Sequence, residues 1–402
     1  MSVIHVISAG PGAAEEMTFE ARDALEKAKR VFTSERHAPL VDQKRLPLEP
    51  LDSALAQMET LLENGDSFAV LVSGDAGLYS LLPALTRRFG AQALKVYPGV
   101  SSIQVLSARL ALPWQESRVL SGHGRSLTQS ELAHEVRTHA RTFLLCDGTH
   151  TPAWACRALL ESGLETVEAC AGEWLSYPRE KIVRGSVEEL SRLPFGPMSA
   201  AVFLNPQPLR GLPPPGMEDA SFLRGQTPMT KREIRVLALS RLALQPDDLV
   251  WDIGAGTGSV SVECARQCPI GKVFAVERDE TALELIQRNK AKFFVSNLEL
   301  VQGSAPDALE GLPAPGKVFL GGGGGHLEAI LDYLESLPDP FGLVAPAVTL
   351  ESLRILTERL SSWKNLEAVQ LAVTKLEEAG AYHLLRAQNP VFLISADWEG
   401  KA

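Results

Sequence analysis

Apolar residues recur along this chain in short blocks of two kinds. In the first half, Val3–Ile7, Phe68–Val72 and Lys95–Tyr97 are compact runs of strand character. Between them, Phe19–Ala28, Leu51–Glu63, Leu78–Phe89 and Ser101–Leu110 carry apolar residues at three- and four-residue spacing, the period of a helix buried on one face. Strands alternating with helices predict a largely parallel sheet. After Leu112-Pro113-Trp114 a second α/β lobe is predicted, with strands near Val119–Leu120, Thr142–Leu145, Thr166–Cys170 and Ala200–Leu204. The second half shows the same alternation: strands at Leu249–Ile253, Lys272–Val276, Leu298–Gln302 and Lys317–Leu320, then near Leu343–Val344, Ala368–Thr374 and Val391–Ser395, seven in all.

Asn205-Pro206-Gln207-Pro208-Leu209-Arg210-Gly211-Leu212-Pro213-Pro214-Pro215-Gly216 separates the halves. It holds too much proline to continue a helix or an inner strand. The expected organisation is a bilobal domain over 1–205 (lobes about 1–112 and 113–205), a semi-extended linker over 206–222, and a second α/β domain over 223–402.

The break in pattern that carries chemistry is Asp252-Ile253-Gly254-Ala255-Gly256-Thr257-Gly258-Ser259, where an apolar strand gives way to a triple-glycine turn and then to helical spacing. Such a turn presents backbone N–H groups to a ligand at a helix N-terminus. A dinucleotide fingerprint places its third glycine one position later. The spacing here, G-x-G-x-G, is the one usual in S-adenosylmethionine (SAM) enzymes, and Glu277, at the end of the next strand, is placed to accept hydrogen bonds from ribose hydroxyls.

Ligands of open α/β sheets sit beyond the carboxyl ends of the strands. In order, those ends carry Gly254–Gly258, Glu277-Arg278-Asp279, Gly303-Ser304-Ala305-Pro306 and Gly321-Gly322-Gly323-Gly324-Gly325-His326. Five glycines lose much entropy on ordering, which points to a close backbone approach or, on the plainer reading, to a flexible loop. The polar-Pro-Pro-aromatic tetrapeptide of amino-group methyltransferases is missing from this strand end, which shifts the acceptor towards carbon. Upstream, Thr227–Glu233 reads as a helix start, Thr230 as N-cap and Glu233 completing a capping box. The alternative is that this turn folds over the cofactor and brings Thr230 and Lys231 into the site.

The first half has three glycine turns of its own at strand ends: Ser8-Ala9-Gly10-Pro11-Gly12, Ser73-Gly74-Asp75-Ala76-Gly77 and Pro98-Gly99-Val100-Ser101-Ser102, the last starting a helix with Ser101 or Ser102 as cap. Together they predict a second ligand cleft.

A net charge of −10 over 402 residues argues against nucleic acid as the main partner, because phosphate neutralisation needs a basic surface. An anionic small molecule would need a local cluster, and Arg224, Lys231, Arg232 and Arg235 form the densest one beside a candidate site. No apolar run approaches the roughly 20 residues of a membrane span, no signal peptide is read at the start, and a cytoplasmic location is expected. The five cysteines are odd in number and lack a C-x-x-C pair, so buried thiols are expected and no metal is assigned.

Gly10-Pro11-Gly12, Ser73-Gly74-Asp75, Tyr97-Pro98-Gly99-Val100-Ser101-Ser102 and Ser121-Gly122-His123-Gly124-Arg125 resemble the tetrapyrrole (corrin/porphyrin) methylase family in its cobalamin-pathway branch. Pro228-Met229-Thr230-Lys231, Trp251–Gly258 and Gly303–Pro306 resemble the decarboxylating methyltransferase that partners it. The resemblance implies a bilobal tetrapyrrole methylase fold followed by a seven-stranded Rossmann-like methyltransferase fold. It implies one SAM per domain and a precorrin-type substrate, methylated at C5 and C15 with loss of the ring C acetate as CO2. Thr230, Gly254, Ala255, Gly256, Thr257, Gly258, Glu277, Ser304, Ala305 and Gly321 would hold the second domain's SAM. Gly10, Pro11, Gly12, Gly74, Asp75, Ser101 and Ser102 would hold the first's. Arg232, Gly322, Gly323, His123 and Arg125 would face the substrate, with Lys231 and His326 as catalytic candidates. A homo-oligomer is implied, with a tetramer through the second domain as the suggested form. The chain departs from the family at Ser8, where a glycine is usual, and at Ala76, where a proline is usual. The alternatives are an RNA-modifying methyltransferase, against which the charge counts, and a non-catalytic SAM-binding scaffold.

Overall fold

The computed structural model describes residues 2–401 apart from 42–44, 125, 210–212 and 323–324. The chain forms two compact units, the main change of unit falling between Pro208 and Leu209.

The first unit contains two five-stranded sheets. One is built from β1 (Ile4–Ser8), β2 (Val31–Thr33), β3 (Arg45–Pro47), β4 (Phe68–Val72) and β5 (Leu94–Tyr97), in the order β3-β2-β4-β1-β5. Every pairing in it is parallel, as the alternation predicts. Parallel strands covered on both faces need apolar residues at successive positions, and β4 is buried at all five. Phe68, Val70 and Val72 pack to one side with Ala54, Met58 and Leu85 from the helices Leu51–Glu63 and Leu82–Phe89, while Ala69 and Leu71 pack to the other with Ala21 and Leu25 from Phe19–Lys27. The second sheet comprises β6 (Arg118–Ser121), β7 (Arg141–Leu145), β8 (Glu168–Glu173), β9 (Lys181–Ser186) and β10 (Ser199–Leu204), ordered β6-β7-β10-β8-β9. Only β6 and β7 run parallel, so this sheet is mixed. The helix Ser102–Leu110 leaves the first sheet's last loop and buries Ile103 and Leu106 against Phe143, Cys170 and Val202 of the second.

The strands β2, β3 and β9 were not expected from the pattern; the first two have three residues each, too few to show a period. The helix expected from Leu78 begins at Leu82, because Asp75–Leu78 closes as a turn (Leu78 N–H to the Asp75 carbonyl, 3.1 Å) and Tyr79 takes a positive φ of 48°.

The second unit is one seven-stranded sheet with a separate hairpin. Its strands are β11 (Leu249–Ile253), β12 (Lys272–Glu277), β13 (Leu298–Gln302), β14 (Lys317–Leu320), β15 (Phe341–Ala347), β16 (Lys364–Leu371), the hairpin β17 (Thr374–Ala379) and β18 (Tyr382–Ala387), and β19 (Val391–Trp398). The order is β13-β12-β11-β14-β15-β19-β16, parallel through β15 and antiparallel at β19 and β16. Strand order reverses at β11, so the loops after β11 and β14 lie side by side at a switch point, the place where such sheets bind ligands. The hairpin departs from the pattern: Ala368–Thr374 reads as one strand, whereas β16 ends at Leu371 and the chain re-enters a strand at Thr374.

The segment ahead of the sheet is tied down by a buried ion cluster rather than running free. Arg235 is fully buried and donates to Glu263 Oε1 (2.7 Å), Asp219 Oδ1 (2.8 Å) and the carbonyls of Met217 and Thr230 (2.5 Å each), while Glu263 also accepts from the N–H groups of Gly216 (2.6 Å) and Met217 (3.2 Å). The same cluster corrects the expected capping box. The helix is Arg232–Leu242 with Lys231, not Thr230, as N-cap, and no side chain of its own caps it. Asp219 takes that role by accepting from Arg232 N–H (3.0 Å), and Glu233 pairs with Lys375 (3.1 Å). Among the described residues no helix is long and apolar enough to cross a membrane.

Candidate functional site

In the second unit the turn after β11 is held from three sides. Gly254, Gly256 and Gly258 have φ values of 75°, 57° and 73°, the left-handed region that glycine enters without a Cβ penalty. The N–H groups of Gly254 and Ala255 both donate to the Val276 carbonyl (2.9 and 3.1 Å). Glu277 accepts from Gly256 N–H at Oε2 (2.8 Å) and from the N–H groups of Arg278 and Asp279 at Oε1 (2.8 and 3.0 Å). The neighbouring loop comes so close that a Cβ on Gly254 would lie 2.8 Å from the Gly322 carbonyl oxygen, and one on Gly321 would lie 3.1 Å from that of Gly254. For this part of the glycine run, close backbone approach is the physical reason.

Above these turns lies a cavity of about 910 Å³ lined by Thr230, Lys231, Gly254–Gly256, Glu277, Gly321 and Gly322, among others. A smaller recess of about 50 Å³, reached past Glu277, is lined by Ser304 and Ala305. Thr257 and Gly258 line neither. The Thr257 carbonyl accepts from Asn289 Nδ2 (2.9 Å), and a Cβ on Gly258 would stand 3.0 Å from Ile286, so both serve the helix–strand packing beneath the turn. Arg232 is ion-paired with Glu218, and His326 is exposed at the N-cap of Leu327–Leu334, outside both cavities. Gly323 and Arg125 lie outside the described residues. Pro346, near the end of β15, and Val348, just beyond it, also line the cavity and carry no motif that points to them.

Beneath the turn, Asp252 is buried on β11, accepts from Ser261 Oγ through Oδ2 and has no partner at Oδ1. Burial is the main cause that pushes its pKa up to about 7; Glu277 adds to the rise and the Ser261 bonds oppose it.

The first unit builds its cleft at the carboxyl ends of β1, β4 and β5. Gly10 and Gly74 exchange backbone hydrogen bonds (Gly10 N–H to Gly74 O, 3.2 Å; Gly74 N–H to Gly10 O, 2.8 Å). Asp75 accepts from the N–H groups of Gly77 and Gly99 (2.8 Å each), which joins two turns through one carboxylate. Ser8, fully buried, donates to the Tyr97 carbonyl (2.7 Å) and accepts from Ala76 N–H (2.9 Å). The two departures from the family pattern are therefore one interaction: a proline at 76 has no N–H to give, and a glycine at 8 has no hydroxyl to receive it. Ser101 is the N-cap of Ser102–Leu110, in a capping box with Gln104.

The resulting cavity, about 180 Å³, is lined by Pro11, Gly74, Asp75, Ser101, Ser102 and His123 from the expected set. It is also lined by Ser73, the first residue of an expected turn, and by Arg36, Cys146 and Ser199, which were not expected. Gly10 and Gly12 stand behind it; a Cβ on Gly12 would fall 2.0 Å from the Tyr177 ring, so glycine there makes room for Tyr177. Arg36 and His37 follow the short strand β2, and the only sequence signal is an Arg-His pair soon after the apolar pair Val31-Phe32. His37 is buried, its Nε2 2.8 Å from Ser73 Oγ, and desolvation followed by the Arg36 charge lowers its pKa to about 4. The His123 pKa is lowered by the desolvation of its ring and by Arg36 and His150, against the pull of Asp147.

Residues 3–191 match the family of Tetrapyrrole (Corrin/Porphyrin) Methylases, and residues 221–397 match the Precorrin methyltransferase domain. The chain is 32% identical over 359 residues to the Precorrin-6Y C(5,15)-methyltransferase [decarboxylating] of Mycobacterium tuberculosis, which covers 87% of this chain and 88% of that protein. The chain belongs to the family of decarboxylating precorrin-6Y C(5,15)-methyltransferases. The Sinorhizobium protein of the same name is 29% identical over 88% of this chain and 86% of its own length. The Cobalt-precorrin-6B C(15)-methyltransferase (decarboxylating) of Salmonella typhimurium is 40% identical over 46% of this chain and 96% of its own. This methyltransferase thus joins in one chain two parts that each have relatives.

Two outcomes follow for the loops of this methyltransferase. Ser8→Gly strands the buried Ala76 N–H, and Ala76→Pro removes that donor; each should cost about 1–3 kcal/mol of first-unit stability, and the double variant should lose at least about 1 kcal/mol less than the sum. Urea unfolding of the four proteins measures the cycle, and strict additivity would mean that the two positions are uncoupled. For Asp252 the folded pKa lies above the unfolded value near 4, so between about pH 4 and 7 the fold keeps a proton that the unfolded chain has lost, and stability falls as pH rises through that window. Asp252→Asn should match the parent near pH 4 and exceed it by up to on the order of 4 kcal/mol above pH 7. A pH-independent difference in denaturation midpoint would contradict this.

Proposed function

We propose that each unit holds one SAM and that the two methylate C5 and C15 of precorrin-6B, with loss of the ring C acetate as CO2, to give precorrin-8X. The observation that carries the reading is that each unit has, at the carboxyl ends of parallel strands, its own cavity ringed by backbone-locked glycine turns. Residues present in the second unit fit the cofactor: Gly254 and Gly256 have no room for a side chain, and Glu277 lines the cavity while retaining acceptor capacity beyond its three N–H bonds.

Bound SAM supplies an activated methyl group. The chain's own contribution is then alignment, because an electron-rich macrocycle carbon needs no further activation once held in line with that methyl. Thr230 and Lys231 line the second cavity together with the glycine turn, and Arg235 holds the Thr230 carbonyl in place. Lys231 and Arg278, both in the lining and neither ion-paired among the described residues, are the cations placed to meet a substrate carboxylate. The five buried free thiols are in keeping with a reducing cytoplasm as the site of action.

The second unit is also proposed to self-associate through its hairpin. Leu376 and Leu385 sit directly opposite each other across β17 and β18, 64% and 76% exposed, and Tyr382 is 76% exposed. A two-stranded ribbon with bare apolar residues is marginal alone and is stabilised by covering them.

Calorimetric titration of the full chain with S-adenosylhomocysteine should resolve two sites. Gly256→Arg puts a side chain at a φ of 57° with its Cβ 3.1 Å from the Pro228 carbonyl oxygen; it should abolish one of the two sites together with C15 methylation and CO2 release, read by mass spectrometry of the product from precorrin-6B and labelled SAM. Undiminished CO2 release would overturn the assignment of decarboxylation to this unit. Leu376→Lys with Leu385→Lys should convert an oligomer to a monomer in light scattering, and an unchanged mass would remove the hairpin from the interface.

A further inference from the structure

We propose that Arg36 forms a carboxylate subsite in the first-unit cavity. This rests on the reading that the first unit takes SAM and a tetrapyrrole, and it goes beyond it by naming the group that meets an acidic ligand there.

The guanidinium is aimed by neutral partners. Its Nε donates to Tyr177 Oη (2.9 Å), an Nη donates to the Pro11 carbonyl, and it lies 5.6 Å from the Tyr177 ring centroid. Of five N–H groups, three are left for the cavity that Arg36 lines. Among the described residues no carboxylate forms an ion pair with it. The acids around it are committed elsewhere: Glu35 to Arg45 (2.5 Å), Glu180 to Arg109 (2.8 Å), Glu16 to Ser176 (2.8 Å), Asp75 to the N–H groups of Gly77 and Gly99, and Asp147 to those of Thr149 and His150 (2.8 and 2.6 Å). A half-buried cation without an acid has lost hydration and gained no counter-charge.

The two imidazoles beside it do not compete for an anion. Desolvation and the Arg36 charge hold His37 neutral, and both also lower the His123 pKa. The wall thus holds one permanent positive charge, neutral donors at Ser73, Ser101 and Ser199, and one carboxylate, Asp75, whose two oxygens are taken up by the N–H groups of Gly77 and Gly99. A planar guanidinium with parallel N–H groups suits a carboxylate. Two sources carry one: the amino-acid end of SAM and the acid side arms of the tetrapyrrole.

The test uses the full chain as Arg36→Gln, which keeps an amide donor for the Pro11 carbonyl, and as Arg36→Met. Binding is measured for S-adenosylhomocysteine and for 5′-methylthioadenosine, which lacks the carboxylate, with the second-unit site as internal reference. If the cofactor supplies the carboxylate, first-unit affinity for S-adenosylhomocysteine falls about ten- to hundredfold while that for methylthioadenosine is unchanged. If the tetrapyrrole supplies it, both cofactor analogues bind as before and KM for C5 methylation rises by a similar factor, with C15 methylation and CO2 release unaltered. Normal binding of both analogues and a normal KM in folded variants would overturn the subsite. Tyr177→Phe, which frees the guanidinium while retaining the ring, should move the same reading in the same direction by a smaller factor, and supplies the test if both Arg36 variants fail to fold. A parent chain that shows no first-unit site at all would instead count against the two-site reading itself.

Discussion

The carboxylate of Glu277 holds three backbone N–H groups, those of Gly256, Arg278 and Asp279, and the second site depends on that arrangement. Amides at the end of a strand have left the sheet ladder and not yet entered a helix, so unless something accepts from them the turn is free to open. One side chain settles two loops at once and brings the ends of β11 and β12 together. The first unit meets the same need with Asp75, which spans two turns, and Ser8, which bonds to two more backbone groups. The two sheets differ in strand order, yet the local problem and its solution are shared. Glu277 is consequently a structural acceptor before it is a ligand contact: ribose hydroxyls would have to use the lone pairs that the amides leave.

A second constraint acts from below. Arg235 and Glu263 are both buried, and a charge in that position is tolerable only if every neighbour answers it. Here Asp219, two carbonyls and two N–H groups do so. The cluster pins the segment from Gly216 and the turn at Thr230 to the same two helices, so the wall over the large cavity is fixed by a network that touches no ligand. This also explains why the helix start departs from its sequence signature. A threonine followed three residues later by glutamate can close a capping box, but an aspartate delivered from thirteen residues upstream, already oriented by a buried arginine, takes the Arg232 N–H instead.

Legibility followed burial. Phe68–Val72, Leu249–Ile253 and Lys317–Leu320 have the boundaries the pattern predicts, because a strand inside a parallel sheet is a largely apolar run ended by a turn. The three-residue strands β2 and β3 offered no period, and the exposed hairpin offered no buried face. In the sites, glycines and the acid at 277 were legible because close approach and strand-end position constrain residue type. Arg36 was not, since nothing adjacent in sequence marks the cavity it enters. The Ser8–Ala76 bond was visible only as two separate departures; their partnership needs β1 and β4 side by side, a fact of the sheet and not of either motif.

Charge is where composition misleads most, and the reason is pairing. A chain with a formal charge of −10 that binds a polycarboxylate must concentrate its attraction in a few places. Counting basic residues pointed to the cluster from Arg224 to Arg235. Within it, Arg232 is neutralised by Glu218 and Arg235 by Glu263 and Asp219, so neither offers its charge to a ligand. Lys231 forms no ion pair among the described residues and lines the second cavity; Arg36, isolated in sequence from any basic run, stands in the same relation to the first. Screening by salt shortens the reach of exposed charges to about 8–10 Å, whereas a charge in the wall of a cavity acts through a medium that screens it less. The attraction an anionic substrate meets in either site therefore comes from cations that lack an acid, Arg36 in the first and Lys231 with Arg278 in the second, and not from the stretch that holds most cations.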